Sequence, residues 1–154
     1  MLIREALAAD IPALVALRMQ LFCEVGELAT PEADPDLWQA TRGYFTQGMQ
    51  AGSARSWVVE ADDALVACGT LVLFVRPPYP GNLAGREAYV LNMYTRPAWR
   101  RRGLAGGLLD AMLAHAREER VGKLWLHASD EGRPLYELLG FLGNPACLEL
   151  SLST

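Results

Sequence analysis

The stretch YVLNMYTRPAWRRRGLAGGLLDAMLAHA, Tyr89 to Ala116, decides the fold. Its first part reads as a strand that ends at Thr95. Arg96–Pro97 then turns the chain. The run Arg100-Arg101-Arg102-Gly103-Leu104-Ala105 opens a helix predicted over Leu104 to Arg120. A helix N-terminus carries unpaired N–H groups and the positive end of the dipole. Gly103 removes a side chain where a ligand must approach the backbone. Ala105, Gly106 and Gly107 keep the first turn uncrowded, and the whole has the make-up of a phosphate cradle. Charge-assisted hydrogen bonds in such a cradle contribute about 1.5–3 kcal/mol each. An arginine-rich solvated loop before an ordinary core helix is the competing reading. No Gly-Lys-Ser/Thr follows, so the loop is not a P-loop. Gly103, Gly106 and Gly107 are also wrongly spaced for a dinucleotide fingerprint.

Outward from this stretch the chain alternates regular elements with turns. Downstream, Lys123 to Ala128 is a strand, and Pro134 to Leu139 is a short helix closed by Gly140. Phe141 and the run Cys147 to Leu152 read as the last strands. Upstream, Leu2 to Arg4 is a first strand. Asp10 and Pro12 start a helix whose apolar face carries Ile11, Leu14, Val15, Leu17, Leu21 and Phe22. Gly26 to Asp36 is a loop, and Asp36 to Gln50 a second helix. Strands beginning at Trp57 and spanning Leu65 to Val75 form an antiparallel hairpin around Asp62–Asp63. Arg76 to Arg86, full of Pro and Gly, is a loop long enough to act as a lid. This order mixes antiparallel hairpins with one strand–helix–strand unit, so the class is α+β. With no linker or repeat, residues 1–154 read as a single domain.

Bulk composition narrows the function. Hydrophobic residues make up 51% of the 154, enough for a core without a metal or disulfide staple. The three cysteines, Cys23, Cys68 and Cys147, lack metal-ligand spacing and read as buried apolar residues of a reduced, cytoplasmic protein. No apolar run is long enough to span a membrane, and the N-terminus does not resemble a signal peptide. A net charge of -4 argues against a nucleic-acid partner. The arginines crowded at Arg96 and Arg100 to Arg102 instead suggest a local anion site.

The loop Arg100 to Ala105 resembles the Arg/Gln-x-x-Gly-x-Gly/Ala motif of the GCN5-related N-acetyltransferase (GNAT) family. LYELLGF, Leu135 to Phe141, is similar to that family's Leu-Tyr-Glu-x-x-Gly-Phe signature. The two are separated, as in the family, by one helix, one strand and one short helix. The resemblance implies a mixed, mostly antiparallel central sheet flanked by helices. It also implies an acetyltransferase that uses acetyl-CoA as donor and an amine of a small molecule or peptide as acceptor, and it allows a homodimer. By the same resemblance the backbone of Met93, Tyr94 and Thr95 would pair with the pantetheine arm. Arg100, Arg101, Arg102, Gly103, Leu104 and Ala105 would hold the pyrophosphate. Tyr136 matches the tyrosine that protonates the departing thiolate. The family often carries Asn and Ala where this chain has Ser129 and Gly132, so Ser129 would make the remaining cofactor contact. A non-catalytic acyl-CoA sensor is the alternative.

For the general base the residues leave several options. Glu87, Asn92 and His127 are candidates, and water can also take the amine proton. His115 reads as core. For the acceptor, Glu24, Glu27, Glu32, Asp34 and Asp36 could hold a cationic amine or be a solvated loop. Trp38, Tyr44, Phe45 and Tyr79 could line an apolar wall or pack the core.

Overall fold

Asp62 and Asp63 both adopt left-handed φ, 50° and 57°. This is the pair of conformations that a two-residue hairpin turn requires. They join β2 (Ala54–Ala61) to β3 (Ala64–Val75). The computed structural model describes residues 1–152 and adds β1 (Leu2–Glu5), β4 (Arg86–Thr95) and β5 (Lys123–Leu126). The five strands form one sheet in the order β1-β2-β3-β4-β5. Every pair is antiparallel except β4 with β5, which is parallel. A parallel pair needs a crossover, and α3 (Leu104–Glu118) supplies it. The helices α1 (Ile11–Glu24), α2 (Pro35–Ala51) and α4 (Arg133–Leu138) complete the fold. This is the mixed, mostly antiparallel sheet with flanking helices expected from the sequence.

The sheet buries both faces. Leu104, Leu108, Leu109, Met112 and Ala116 of α3 pack on Val59, Ala67, Leu71 and Val90. Leu14, Leu17 and Met19 of α1 and Phe45 of α2 pack on Val58, Leu65 and Cys68 on the opposite face. Each fully buried aliphatic side chain contributes about 1.5–3 kcal/mol. The helix predicted from Asp36 begins slightly earlier, because Asp34 accepts from the Leu37 N–H at 3.0 Å and Pro35 occupies the first position.

One irregularity positions everything that follows. The register of β3 with β4 runs to Thr70↔Leu91 and resumes at Cys68↔Tyr94, so Gly69 faces both Asn92 and Met93. Asn92 takes the left-handed φ of 57°. Such a β-bulge bends its strand. A methyl group on Gly69 would lie 2.4 Å from the Met93 sulfur and 2.8 Å from that of Met112. The glycine therefore makes room for the side chain that the bulge directs toward α3. On the other side, β4 pairs with β5 only as far as Val90↔Leu126. From Leu91 to Thr95 the two strands are no longer paired.

Two expectations fail at the C-terminus. Neither Phe141 nor Cys147 to Leu152 forms a strand. An alternating pattern becomes a strand only when a sheet edge accepts it, and β5 pairs with β4 alone. Leu142, Leu148 and Leu150 are consequently 84–91% exposed. Cys147 is exposed rather than buried, whereas Cys68 is buried and Cys23 intermediate.

Candidate functional site

Where β4 leaves β5, a cavity of about 540 Å³ opens between the end of α1, the end of β4, the N-terminus of α3 and α4. Met93, Tyr94, Thr95, Arg100, Arg101, Gly103, Leu104, Ala105, Ser129 and Tyr136 all line it. The topology thus gathers residues 43 positions apart around one space. Of the residues assigned from the sequence to the donor site, Arg102 alone is not on its wall. Its guanidinium instead lies over the Trp99 ring, 4.7 Å from the centroid.

The floor of the cavity is the start of α3. Arg101 and Gly103 both have positive φ, 60° and 77°. The glycine tolerates this conformation without steric cost, and space for a side chain there is open. The first helical bond is Gly107 N–H to Gly103 O at 3.0 Å. Among the described residues, the N–H groups of Arg101 through Gly106 have no acceptor, and no side chain caps the helix. Unsatisfied donors at the positive end of a helix attract an anion.

Arg100 braces the wall. Its Nε donates to Thr95 O at 2.8 Å and its Nη2 meets Glu24 Oε2 at 2.6 Å. The Arg100 bond holds the Glu24 carboxyl below its usual range, against a smaller upward push from burial. Glu24, considered in the sequence as an acceptor contact or loop charge, therefore links α1 to the cradle.

Tyr136 stands across the cavity on α4. Its ring meets Phe141 edge-on, 5.9 Å between centroids. Burial pushes its hydroxyl above the ordinary tyrosine pKa, so it is protonated at neutral pH. Ser129 Oγ accepts from the Gly132 N–H at 3.1 Å, which fixes the start of α4. A methyl group at position 132 would come 3.0 Å from the Tyr136 ring. Alanine at 132 would require the ring to give by a few tenths of an ångström.

The acetyltransferase (GNAT) family model matches residues 19–141, which spans most of the chain and both signature stretches. The chain belongs to the GNAT acetyltransferase family. It is similar to a predicted acetyltransferase from Clostridium acetobutylicum solved with acetyl-CoA, at 31% identity over 97% of this chain and 95% of that one, with a TM-score of 0.88. A GCN5-related N-acetyltransferase from Ralstonia eutropha JMP134 is 27% identical, covers 97% of each chain and has a TM-score of 0.83. A ribosomal-protein-alanine N-acetyltransferase from Brucella melitensis shares the fold at 20% identity and a TM-score of 0.70, over 99% of this chain and 100% of that one. No curated protein matches the sequence. As a GNAT protein the chain is an N-acetyltransferase with acetyl-CoA as its donor.

A second cavity, about 620 Å³, wraps the outer edge of β5, and Tyr136 lines this one too. The acetyltransferase keeps two of its candidate bases here. Glu87 is fully buried, and its carboxylate accepts from Tyr79 Oη, from Trp125 Nε1 at 2.8 Å and from Arg76 at 3.2 Å. Burial alone would raise its pKa, but these donors outweigh it and the net shift is downward. Glu87 is therefore a charged anchor whose oxygens are already committed. Through Tyr79 it also holds the loop Arg76 to Arg86 in place, reinforced by Asn82 donating to Tyr79 Oη and Arg86 O. The loop read as a lid is thus tied to the sheet. His127 is largely exposed and meets Glu149 at 2.8 Å, away from the cradle. Asn92 is buried at the bulge. His115 packs against Trp57, 5.2 Å between rings, as a core residue, with Nε2 lacking a partner. Phe45 and Trp38 also belong to the core.

Among the described residues no His, Cys, Asp and Glu group could hold a metal ion. No helix there is long and apolar enough to cross a membrane. Sequence reasoning missed Arg18, which the fold places beside Asn92. It also missed the bulge, whose only local signal was an Asn inside a strand.

Proposed function

We propose that residues 1–154 act as a single N-acetyltransferase domain that moves an acetyl group from acetyl-CoA to a primary amine of a small molecule or peptide. The observation that carries this reading is the row of free N–H groups from Arg101 to Gly106 opening on the same cavity as Tyr136. In this reading those N–H groups take the pyrophosphate, with Arg101 and Arg102 adding positive charge around it. The backbone of Met93, Tyr94 and Thr95, which adjoins β3 on one side and has no strand on the other, takes the pantetheine arm as an added strand would, with Thr95 O already held by Arg100. Arg100, already tied to Glu24, shapes the wall, and the Ser129 hydroxyl keeps its proton free to donate.

The reaction needs no covalent enzyme intermediate. The neutral amine attacks the thioester carbon, a C–N bond forms and the C–S bond breaks. Holding both reactants in one site supplies much of the rate. Negative charge that develops on the carbonyl oxygen is met by a fixed backbone N–H near the bulge. The amine loses one proton, through water because Glu87 is committed and His127 lies elsewhere. Tyr136 gives its hydroxyl proton to the departing thiolate and recovers one from water. Thiols titrate near pH 8.5 and tyrosine near 10, and the raised pKa of Tyr136 keeps its proton available.

The open edge of β5 and the exposed Leu148 and Leu150 support a homodimer in which a second copy covers this edge. Sedimentation that stays monomeric at high concentration would speak against it. The free cysteines suit a reducing, cytoplasmic setting. The transferase reading is tested by thiol release from acetyl-CoA with a panel of amines, amino acids, peptides and aminoglycosides. Turnover with one class is the expected result. Coenzyme A binding without turnover on any class would favour a sensor.

A further inference from the structure

Among the described residues, Arg18 of α1 and Arg96 are the part-shielded arginines without a carboxylate partner, and Arg96 donates to Leu65 O at 3.1 Å. Arg4, Arg55 and Arg100, also part-shielded, each meet a carboxylate. Arg18 has no carboxylate within ion-pair distance among the described residues. Its hydrogen bond is a long one, 3.3 Å from Nη1 to Asn92 Oδ1. A guanidinium carries five N–H donors, so most of them are left over. The Phe22 ring lies 4.7 Å beneath it and supports it from one side.

No ion pair among the described residues neutralises this charge. Burial pushes the Cys68 thiol up to about 12 and raises the Tyr44 hydroxyl, so both neighbours are neutral. Glu24 is engaged by Arg100. Glu27 is the carboxylate whose field reaches Arg18, and it is exposed and unpaired. Burial itself acts against the charged guanidinium, yet arginine remains charged. A partly desolvated cation without a counter-ion is costly, and a bound anion removes that cost.

The place of this cation matters as much as its isolation. Asn92 is the bulge residue, and Met93 to Thr95, which follow it, line the donor cavity. Arg18, Asn92 and Cys68 lie on the α1–α2 face, whereas Met93 packs toward Met112 of α3. An anion on Arg18 would therefore sit one side chain from the opening in β4, on the face opposite α3. We propose that Arg18 anchors an anionic group of the acceptor, so that this enzyme acetylates amines that also carry a carboxylate or a phosphate. The planar fork of arginine matches both groups bidentately. The inference rests on the transferase reading for its substrate, but the anion site itself can be detected by binding.

The test compares kcat/KM for matched acceptors, an amino acid against its amide and a hexosamine phosphate against the free hexosamine. Wild type, Arg18→Gln and Arg18→Lys are assayed, with melting temperature and acetyl-CoA affinity as checks of folding. Wild type should favour the anionic member of one pair by about ten- to a hundredfold, and that pair identifies carboxylate or phosphate. In Arg18→Gln the ratio should fall toward one, with Arg18→Lys in between because it keeps the charge and loses the fork. Equal treatment of both members by wild type, or an equal loss on both in the variants, overturns the proposal. If no amine is acetylated, the coenzyme A complex is titrated with the same compounds. Anion binding that disappears in Arg18→Gln keeps the anchor and sinks the transferase reading, and binding indifferent to Arg18 sinks the anchor.

Discussion

In the proposed reading, Tyr136 and Gly103 divide the labour of the donor site between chemistry and binding. Tyr136→Phe removes only the donated proton. It should lower kcat by about 10²–10³-fold while coenzyme A affinity stays nearly constant, as measured by steady-state kinetics and calorimetry. An equal loss of affinity would make Tyr136 a structural residue. Because burial raises its pKa, the acid form should persist through neutral and mildly alkaline pH. Loss of kcat through this group should appear only above the ordinary tyrosine value of about 10. The placement of both residues on one cavity was legible in the sequence, since each sits in a short motif with fixed neighbours. Arg18 was not legible. Its meaning depends on the absence of a partner and on a contact with Asn92 across 74 positions. On a helix pattern alone it is one more polar residue at the edge of an apolar face.

At the level of elements, the site exists because β4 bends. Gly69 admits Met93, Asn92 takes the left-handed turn, and β5 parts from β4 just where the cavity begins. Strand and helix signals in the sequence carried the order of elements correctly as far as α4. They could not show the bulge, because register is set by the partner strand rather than by local composition. The loop from Arg76 to Arg86 teaches the same lesson. Its Pro and Gly content announced a loop, but only packing revealed that Glu87 fastens it through Tyr79. Glu87→Ala would leave Trp125 Nε1 and Tyr79 Oη without their acceptor. We expect a loss of roughly 2–3 kcal/mol in urea unfolding, together with a more protease-sensitive loop. A stability within error of wild type would show that the loop anchors itself by other contacts.

For the whole molecule, the sheet with helices on both faces was readable because each apolar pattern found its partner layer. The C-terminal run was misread for the complementary reason. Its alternation needs a strand to pair with, and the run does not pair with the open edge of β5. Stability against acid should report the clamp between β1 and α1. Arg4 bonds Asp10 at 2.7 Å, and Asp10 also accepts from the Leu7 N–H. The Arg4 hydrogen bond holds the Asp10 carboxyl below its usual range, with burial opposing and the Leu7 bond assisting. A carboxyl depressed in the folded state stabilises the fold above its unfolded pKa of about 3.9 and loses that contribution as pH falls through the folded value. Asp10→Asn should therefore cost roughly 1 kcal/mol near neutral pH and progressively less in acid, read by thermal melts across pH. A cost that does not shrink with pH would place the effect in packing rather than charge.

In the proposed reading, the donor's pyrophosphate binds at the N-terminus of α3. Calorimetric titration of coenzyme A into wild type and into Gly103→Val tests it most directly. The left-handed φ of 77° and the open space at Gly103 predict that valine disrupts the cradle and weakens binding at least tenfold, with melting temperature little changed. Unchanged affinity in a folded Gly103→Val protein would place the pyrophosphate elsewhere, and no binding by wild type at millimolar ligand would contradict the proposed site.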